Sequence, residues 1–200
     1  MFEKPLTFIF TGRSGCGKGT QVELLRKYIA RYDERHRRIF YLETGARFRD
    51  FIAEEGYTRK LSKEVYRLGD RQPDFLAVWM WSHMLIDDLT GQEHLIIDGT
   101  PRSLNEAKIL EGAMAFYGRI KPYVVYLDVS RAWSEKHLLS RGRSDDDLSG
   151  VKKRLDWYDR DVAPAIEFYR NNPAVTFVQI SGEQSVGAVH EELIQKIFQP

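Results

Sequence analysis

A single cysteine, Cys16, stands in a chain of 200 residues, which excludes an internal disulfide and a zinc site built from several thiolates. Long apolar runs are also missing. The longest stretch without Asp, Glu, Lys or Arg is 12 residues, Phe75 to Ile86, well short of the roughly 20 that a membrane-spanning helix needs. Near the N-terminus only Leu6 to Phe10 form an apolar run, too short for a secretory signal. A cytoplasmic location with no membrane partner is the expectation. Net charge is nearly absent too. Thirty Lys+Arg against 29 Asp+Glu leave +1, so no overall field draws the chain onto nucleic acid. Recognition of anions has to come from local clusters. The basic run Arg35, Arg37 and Arg38 reads as solvated surface, and no nucleic-acid partner is expected. Internal repeats and low-complexity tracts are missing as well.

What is present is a composition of 42% hydrophobic and 30% charged residues, suited to one folded domain. Five short runs rich in β-branched and aromatic residues recur: Leu6–Phe10, Arg38–Leu42, His94–Ile97, Tyr123–Leu127 and Val175–Ile180. Helix-period segments lie between them, such as Val22, Leu25, Ile29 and Tyr32, or Val186, Val189, Leu193 and Ile197. Strands alternating with helices predict an α/β fold with a five-stranded parallel sheet covered on both faces. Each run ends in glycine or polar residues: Gly12, Glu43-Thr44-Gly45, Asp98-Gly99, Asp128 and Ser181-Gly182. Ligands of open α/β sheets bind beyond the carboxyl ends of strands. Two segments are not simple crossovers. Residues 44–73 hold two short helical patterns, and residues 137–150 are highly charged and read as a mobile loop.

Residues 12–19 read GRSGCGKG, and Gly12, Gly17 and Lys18 fit the frame G-x-x-x-x-G-K. Glycines let successive backbone N–H groups point inward, the following helix aims its positive end at phosphate, and the lysine supplies a point charge. The position that would carry a metal-ligating hydroxyl holds Gly19, with Thr20 one place later. A magnesium ion accompanying a nucleotide would then be held by phosphates, waters and a carboxylate, for which Asp98 is the candidate, through water. The five histidines show no ligand-like pairing.

GRSGCGKGTQ, Thr44-Gly45 with Arg49, DGTPR at 98–102, Arg143 followed by Asp145-Asp146, and Arg154 together resemble adenylate kinase and related nucleoside monophosphate kinases. The resemblance runs in one order over most of the chain and includes APAIEFY at 163–169. It implies a P-loop kinase core over residues 1–200, with 44–73 as the acceptor-binding subdomain and 137–150 as a short lid. It implies ATP on Gly15, Cys16, Gly17, Lys18, Gly19 and Thr20, with His137, Arg141 and the backbone near Gln184 by the adenine. The acceptor nucleotide would lie on Thr44, Gly45, Arg49, Gln72, Gly99, Arg102 and Glu106. Arg143 and Arg154 would flank the transferred phosphoryl group, and Lys18 and Arg102 would share the catalytic work. The implied reaction is reversible magnesium-dependent transfer from ATP to AMP by a monomer, with no structural zinc. Arginine suits it because its planar fork grips phosphate.

Three departures from that pattern carry expectations. Only Gly142 separates Arg141 from Arg143, and His137 stands where the family has an arginine. So short a lid would exclude water poorly, which predicts ATP hydrolysis without acceptor. Glu106 replaces a glutamine. An ionised glutamate offers only acceptors and would suit guanine better than adenine, unless Asn105, Gln72 or backbone carbonyls read the base and Glu106 is an exposed helix residue. Cys16 within the loop predicts inhibition by thiol reagents. Trp79, Trp81, Phe75 and Met80 read as core, with Trp79 a possible wall of the base pocket. Other acceptors (GMP, CMP, UMP or dTMP) and a non-catalytic nucleotide-binding module are the alternatives. A GTPase is opposed by the lack of N-K-x-D, and thymidylate kinase by DGTPR where its own signature would stand.

Overall fold

The computed structural model describes residues 2–141 and 147–199. Five parallel strands, β1 (Thr7–Gly12), β2 (Ile39–Glu43), β3 (His94–Asp98), β4 (Tyr123–Asp128) and β5 (Thr176–Ser181), form one sheet in the order β2-β3-β1-β4-β5. The helices are α1 (Lys18–Tyr32), α2 (Thr44–Ala53), α3 (Tyr57–Arg67), α4 (Asp74–Asp88), α5 (Leu104–Phe116), α6 (Arg131–Arg141), α7 (Leu148–Trp157), α8 (Ala163–Arg170) and α9 (Val186–Phe198). A π-helical turn, Tyr158–Val162, joins α7 to α8.

The continuous apolar runs resolve into two faces. Phe8, Phe10, Ile96, Val125 and Leu127 pack against Val22, Leu25 and Ile29 of α1 and Leu193 of α9. Their neighbours Ile9, Leu95, Ile97 and Val124 pack the other way, against Trp81 and Leu85 of α4, Leu110 of α5 and Tyr169 of α8. Side chains alternate along a strand, so a strand covered on both sides must be apolar at every position. The chain after β1 travels toward β2, and the chain after β3 travels toward β4. The connections of two adjacent strands therefore part, leaving a crevice beyond the carboxyl ends of β1 and β3.

Several expectations are corrected here. Arg37 is not solvated: its guanidinium meets Asp33 at 2.9 Å and donates to the carbonyls of Phe2 and Glu3. Asp33 also meets Nε2 of the buried His94 at 3.2 Å, while Nδ1 of that ring accepts from the Leu6 N–H. These contacts fasten the N-terminal segment to α1. In α4, Trp81 and Met80 are core, but Phe75 and Trp79 are 70% and 45% exposed. Segment 137–150 is not loop throughout, because residues 137–141 end α6 and residues 148–150 begin α7. Arg143, Gly142, Asp145 and Asp146 lie outside the described residues.

Candidate active site

The turn after β1 is shaped by glycine. Gly12 has φ +140°, and a Cβ there would stand 2.6 Å from the Leu127 carbonyl oxygen, closer than any side chain tolerates. Gly17 caps α1 with φ +91°. No acidic residue stands in the first turn of α1, so its unpaired N–H groups and positive dipole end are left for an anion. The Lys18 ammonium folds back over the loop and donates to the carbonyls of Gly12 and Arg13, both at 2.9 Å.

This loop forms one wall of a cavity of about 1250 Å³. Gly15, Gly17, Lys18, Gly19 and Thr20 line it with Asp98, Gly99, Arg49, Arg102, His137, Arg141 and Arg154. Among the described residues the lining carries Lys18, Arg49, Lys63, Arg67, Arg102, Arg141 and Arg154 together with Glu43, Asp70, Asp98 and Asp147. Among the described residues, seven cations against four carboxylates give a local positive excess in a chain that is almost neutral.

Asp98 ends β3 and is 6% exposed. The Tyr41 hydroxyl donates to its Oδ2 at 3.1 Å. Burial raises the Asp98 pKa, and nearby Lys18 opposes that shift. Opposite the glycine loop, Arg49 of α2 and Arg102 converge over Gly45. A Cβ on Gly45 would lie 3.5 Å from Arg102 Nη2 and 3.5 Å from Arg49 Nη1. Arg102 is steadied by donating from Nε to the Gly99 carbonyl at 2.7 Å, and its guanidinium stands 5.9 Å from the Trp157 ring centre. The buried Thr44 hydroxyl shares a hydrogen bond with Thr100 at 2.8 Å. Arg154 donates from Nε to the Gly150 carbonyl. His137 stacks on Trp133 at 4.2 Å and engages the Trp133 carbonyl through Nδ1.

Six expected residues, Cys16, Thr44, Gly45, Gln72, Glu106 and Gln184, stand apart from the cavity lining. Cys16 is 4% exposed, its N–H bonds back to the Arg13 carbonyl, and its side chain joins the core beside Leu127. Its backbone donor is therefore spent within the loop, and its buried thiol lies 3.5 Å from the Lys18 ammonium. Gln72 is buried and spends its amide on Ser62, accepting from the hydroxyl at 2.8 Å and donating to the carbonyl at 2.9 Å. Gln184 is exposed between β5 and α9 and donates to Ser181 and Glu192.

Glu106 is not an exposed helix residue. It lies in the first turn of α5, fully buried, with no hydrogen-bond partner on either carboxylate oxygen among the described residues. Arg71 Nη1 is 3.9 Å from Oε1. Burial pushes its pKa up to about 7, against the pull of Arg102 and Arg71 and with the repulsion of Asp74. Arg71 itself binds Asp74 and, at 3.1 Å, Asp161 of the π-helical turn. Sequence reasoning passed over Tyr41, Trp157 and Arg71. For Tyr41 a signal existed: it is two residues before Glu43, so it shares a strand face with a residue at the carboxyl end.

Among the described residues, no group of three or more His, Cys, Asp or Glu could hold a metal ion, and no helix is long and apolar enough to cross a membrane. A model of the adenylate kinase family matches residues 10–174. The adenylate kinase of Porphyromonas gingivalis is 34% identical over 168 residues, covering 82% of this chain and 82% of that protein. Adenylate kinase 1 of a Nostoc species is 31% identical over 185 residues, covering 92% and 95%. The adenylate kinase of Prochlorococcus marinus strain MIT 9515 is 31% identical over 175 residues, covering 88% and 90%. On the matched span, the glycine loop and the five-stranded parallel sheet together, the chain belongs to the adenylate kinase family.

Proposed function

We propose that this protein is an ATP-dependent nucleoside monophosphate kinase that interconverts ATP plus AMP with two ADP, acting as a cytoplasmic monomer. The observation that carries the reading is one cavity with two anion cradles of different build. Backbone donors and Lys18 stand on one side, and the paired guanidiniums of Arg49 and Arg102 on the other.

Phosphoryl transfer between two nucleotides asks a protein to hold two polyanions in line and to stabilise charge spread over the equatorial oxygens. In this reading Gly15, Gly17, Gly19 and Thr20 seat the ATP phosphates. Lys18 turns from its own loop carbonyls to the transferred group. Arg102 and Arg49 hold the phosphate of AMP, already an anion and in no need of a general base. Arg154, with Arg143 and Arg141, neutralises the group in flight. A magnesium ion brought in with ATP fits the donor set, since a hard cation prefers oxygen, and Asp98 offers a carboxylate whose second oxygen is held by Tyr41. Bound there through water, it would supply charge neutralisation on the phosphates.

If the acceptor base reaches the buried Glu106, which stands outside the cavity lining, its carboxyl would favour adenine. At neutral pH much of it is protonated. A neutral acid offers one donor and one acceptor, as glutamine does, and this pair matches adenine's ring nitrogen and amino group. The guanine preference expected of an ionised glutamate would belong to the ionised fraction alone.

A coupled ADP-release assay across AMP, GMP, CMP, UMP and dTMP, with a no-acceptor control, tests the reading. AMP is expected to give the highest rate. Equal rates with and without acceptor would overturn it.

A further inference from the structure

We propose that the Glu43 carboxylate is an internal stand-in for the acceptor's phosphate, so that AMP binds by displacing it from Arg49. The inference rests on the reading of Arg49 and Arg102 as the acceptor cradle.

Glu43 closes β2 and Arg49 lies in the second turn of α2. Glu43 Oε1 accepts from Arg49 Nη2 at 3.0 Å, and both side chains line the cavity. The Arg49 guanidinium lies over Gly45, where Arg102 Nη2 also arrives. A guanidinium fork takes a carboxylate and a phosphate through the same geometry. One guanidinium of the cradle therefore already holds an anion of the kind it would bind.

The pair is built to exchange. The side chains are 39% and 36% exposed, and ion pairs so open to water contribute little to stability. Glu43 is also opposed from behind. It sits opposite Asp98 in the parallel register of β2 and β3, and its charge adds to the rise in the Asp98 pKa. An arriving phosphate thus meets a weakly held carboxylate on one guanidinium of the cradle. That carboxylate lowers affinity for phosphate-bearing acceptors and leaves the nucleoside part untouched.

The test is Glu43→Gln, titrated with AMP and with adenosine by calorimetry, alone and in an Arg49→Ala background. AMP is expected to bind five- to tenfold more tightly to Glu43→Gln, with less than a twofold change for adenosine. In the Arg49→Ala background the gain should shrink below twofold. Unchanged or weaker AMP binding to Glu43→Gln would overturn the proposal and make Glu43 a positioning residue for Arg49. A gain that survives intact without Arg49 would overturn it in favour of a diffuse field effect. Glu43→Ser, checked by its melting curve, serves if the glutamine variant folds poorly. Wild-type ADP formation from ATP and AMP is measured first, because its absence would defeat the acceptor reading itself and not the role of Glu43.

Discussion

The indole N–H of Trp157 donates to the carbonyl of Gly69 at 3.2 Å, joining residues 88 positions apart. Beside it, Lys153 donates to the Leu68 carbonyl, and a Cβ on Gly69 would stand 3.0 Å from the Gly150 Cα. The end of the acceptor segment is thus docked on α7. Trp157→Phe keeps the ring and removes the donor. It should cost about 1 kcal/mol of stability. Amide exchange over residues 57–69 should quicken more than elsewhere. Exchange rising equally across the chain would contradict a local latch.

In the proposed reaction Lys18 is a charge close to the transferred group. Lys18→Met should lower the rate of ADP formation by about 10²–10³-fold. Far-ultraviolet circular dichroism and melting temperature should stay near wild type, since its partners Gly12 and Arg13 are backbone carbonyls on a surface loop. Loss of less than tenfold would remove Lys18 from the transition state.

Glu106 links pH to stability. Its carboxyl is raised from an ordinary 4.5 to about 7 in the folded protein. Between those values the folded state keeps a proton that the unfolded chain releases, so stability falls as pH rises through this window. Glu106→Gln removes the dependence. Its advantage over wild type in urea unfolding should grow from pH 5 to pH 7, reach about 1–3 kcal/mol, and then level off. In the acceptor assay the preference of the wild type for AMP over GMP should decline as pH rises through 7, and that of Glu106→Gln should stay flat. A pH-independent difference in stability would show that the carboxyl is not held neutral.

Cys16 should resist modification. With its side chain 4% exposed and packed in the core, it should react with a thiol reagent at least about 10²-fold more slowly in the native protein than in urea, because reaction waits for opening. ATP should slow it further by binding the loop. Rapid stoichiometric labelling of the native protein would contradict the observed packing.

The strands were legible because doubly covered strands must be apolar at each position, and the glycine loop was legible because its conformation leaves few residue types. Side-chain direction was harder. Trp79 and Trp81 are two residues apart on a helix apolar all round, so periodicity could not tell which of them faces the sheet. Glu106 was misread for a related reason. Its type says carboxylate, but its chemistry depends on a burial that no local spacing reveals. Cys16 and Gln72 were named by position in a motif, and both side chains turn to partners within the fold. Arg37 read as surface because its neighbours Arg35 and Arg38 are exposed, while its own partner Asp33 is buried on account of His94, 61 residues away.

Lys18 answers to its own loop, through the carbonyls of Gly12 and Arg13 and the thiol of Cys16. An ammonium left pointing into a vacant cup would repel the neighbouring arginines and invite collapse of the turn. Tethered to two carbonyls, it has a resting place to which it returns after each product leaves. In the proposed reaction, departure of ADP would then trade one set of contacts for another, so that discharge of product and readiness for the next turnover become the same event.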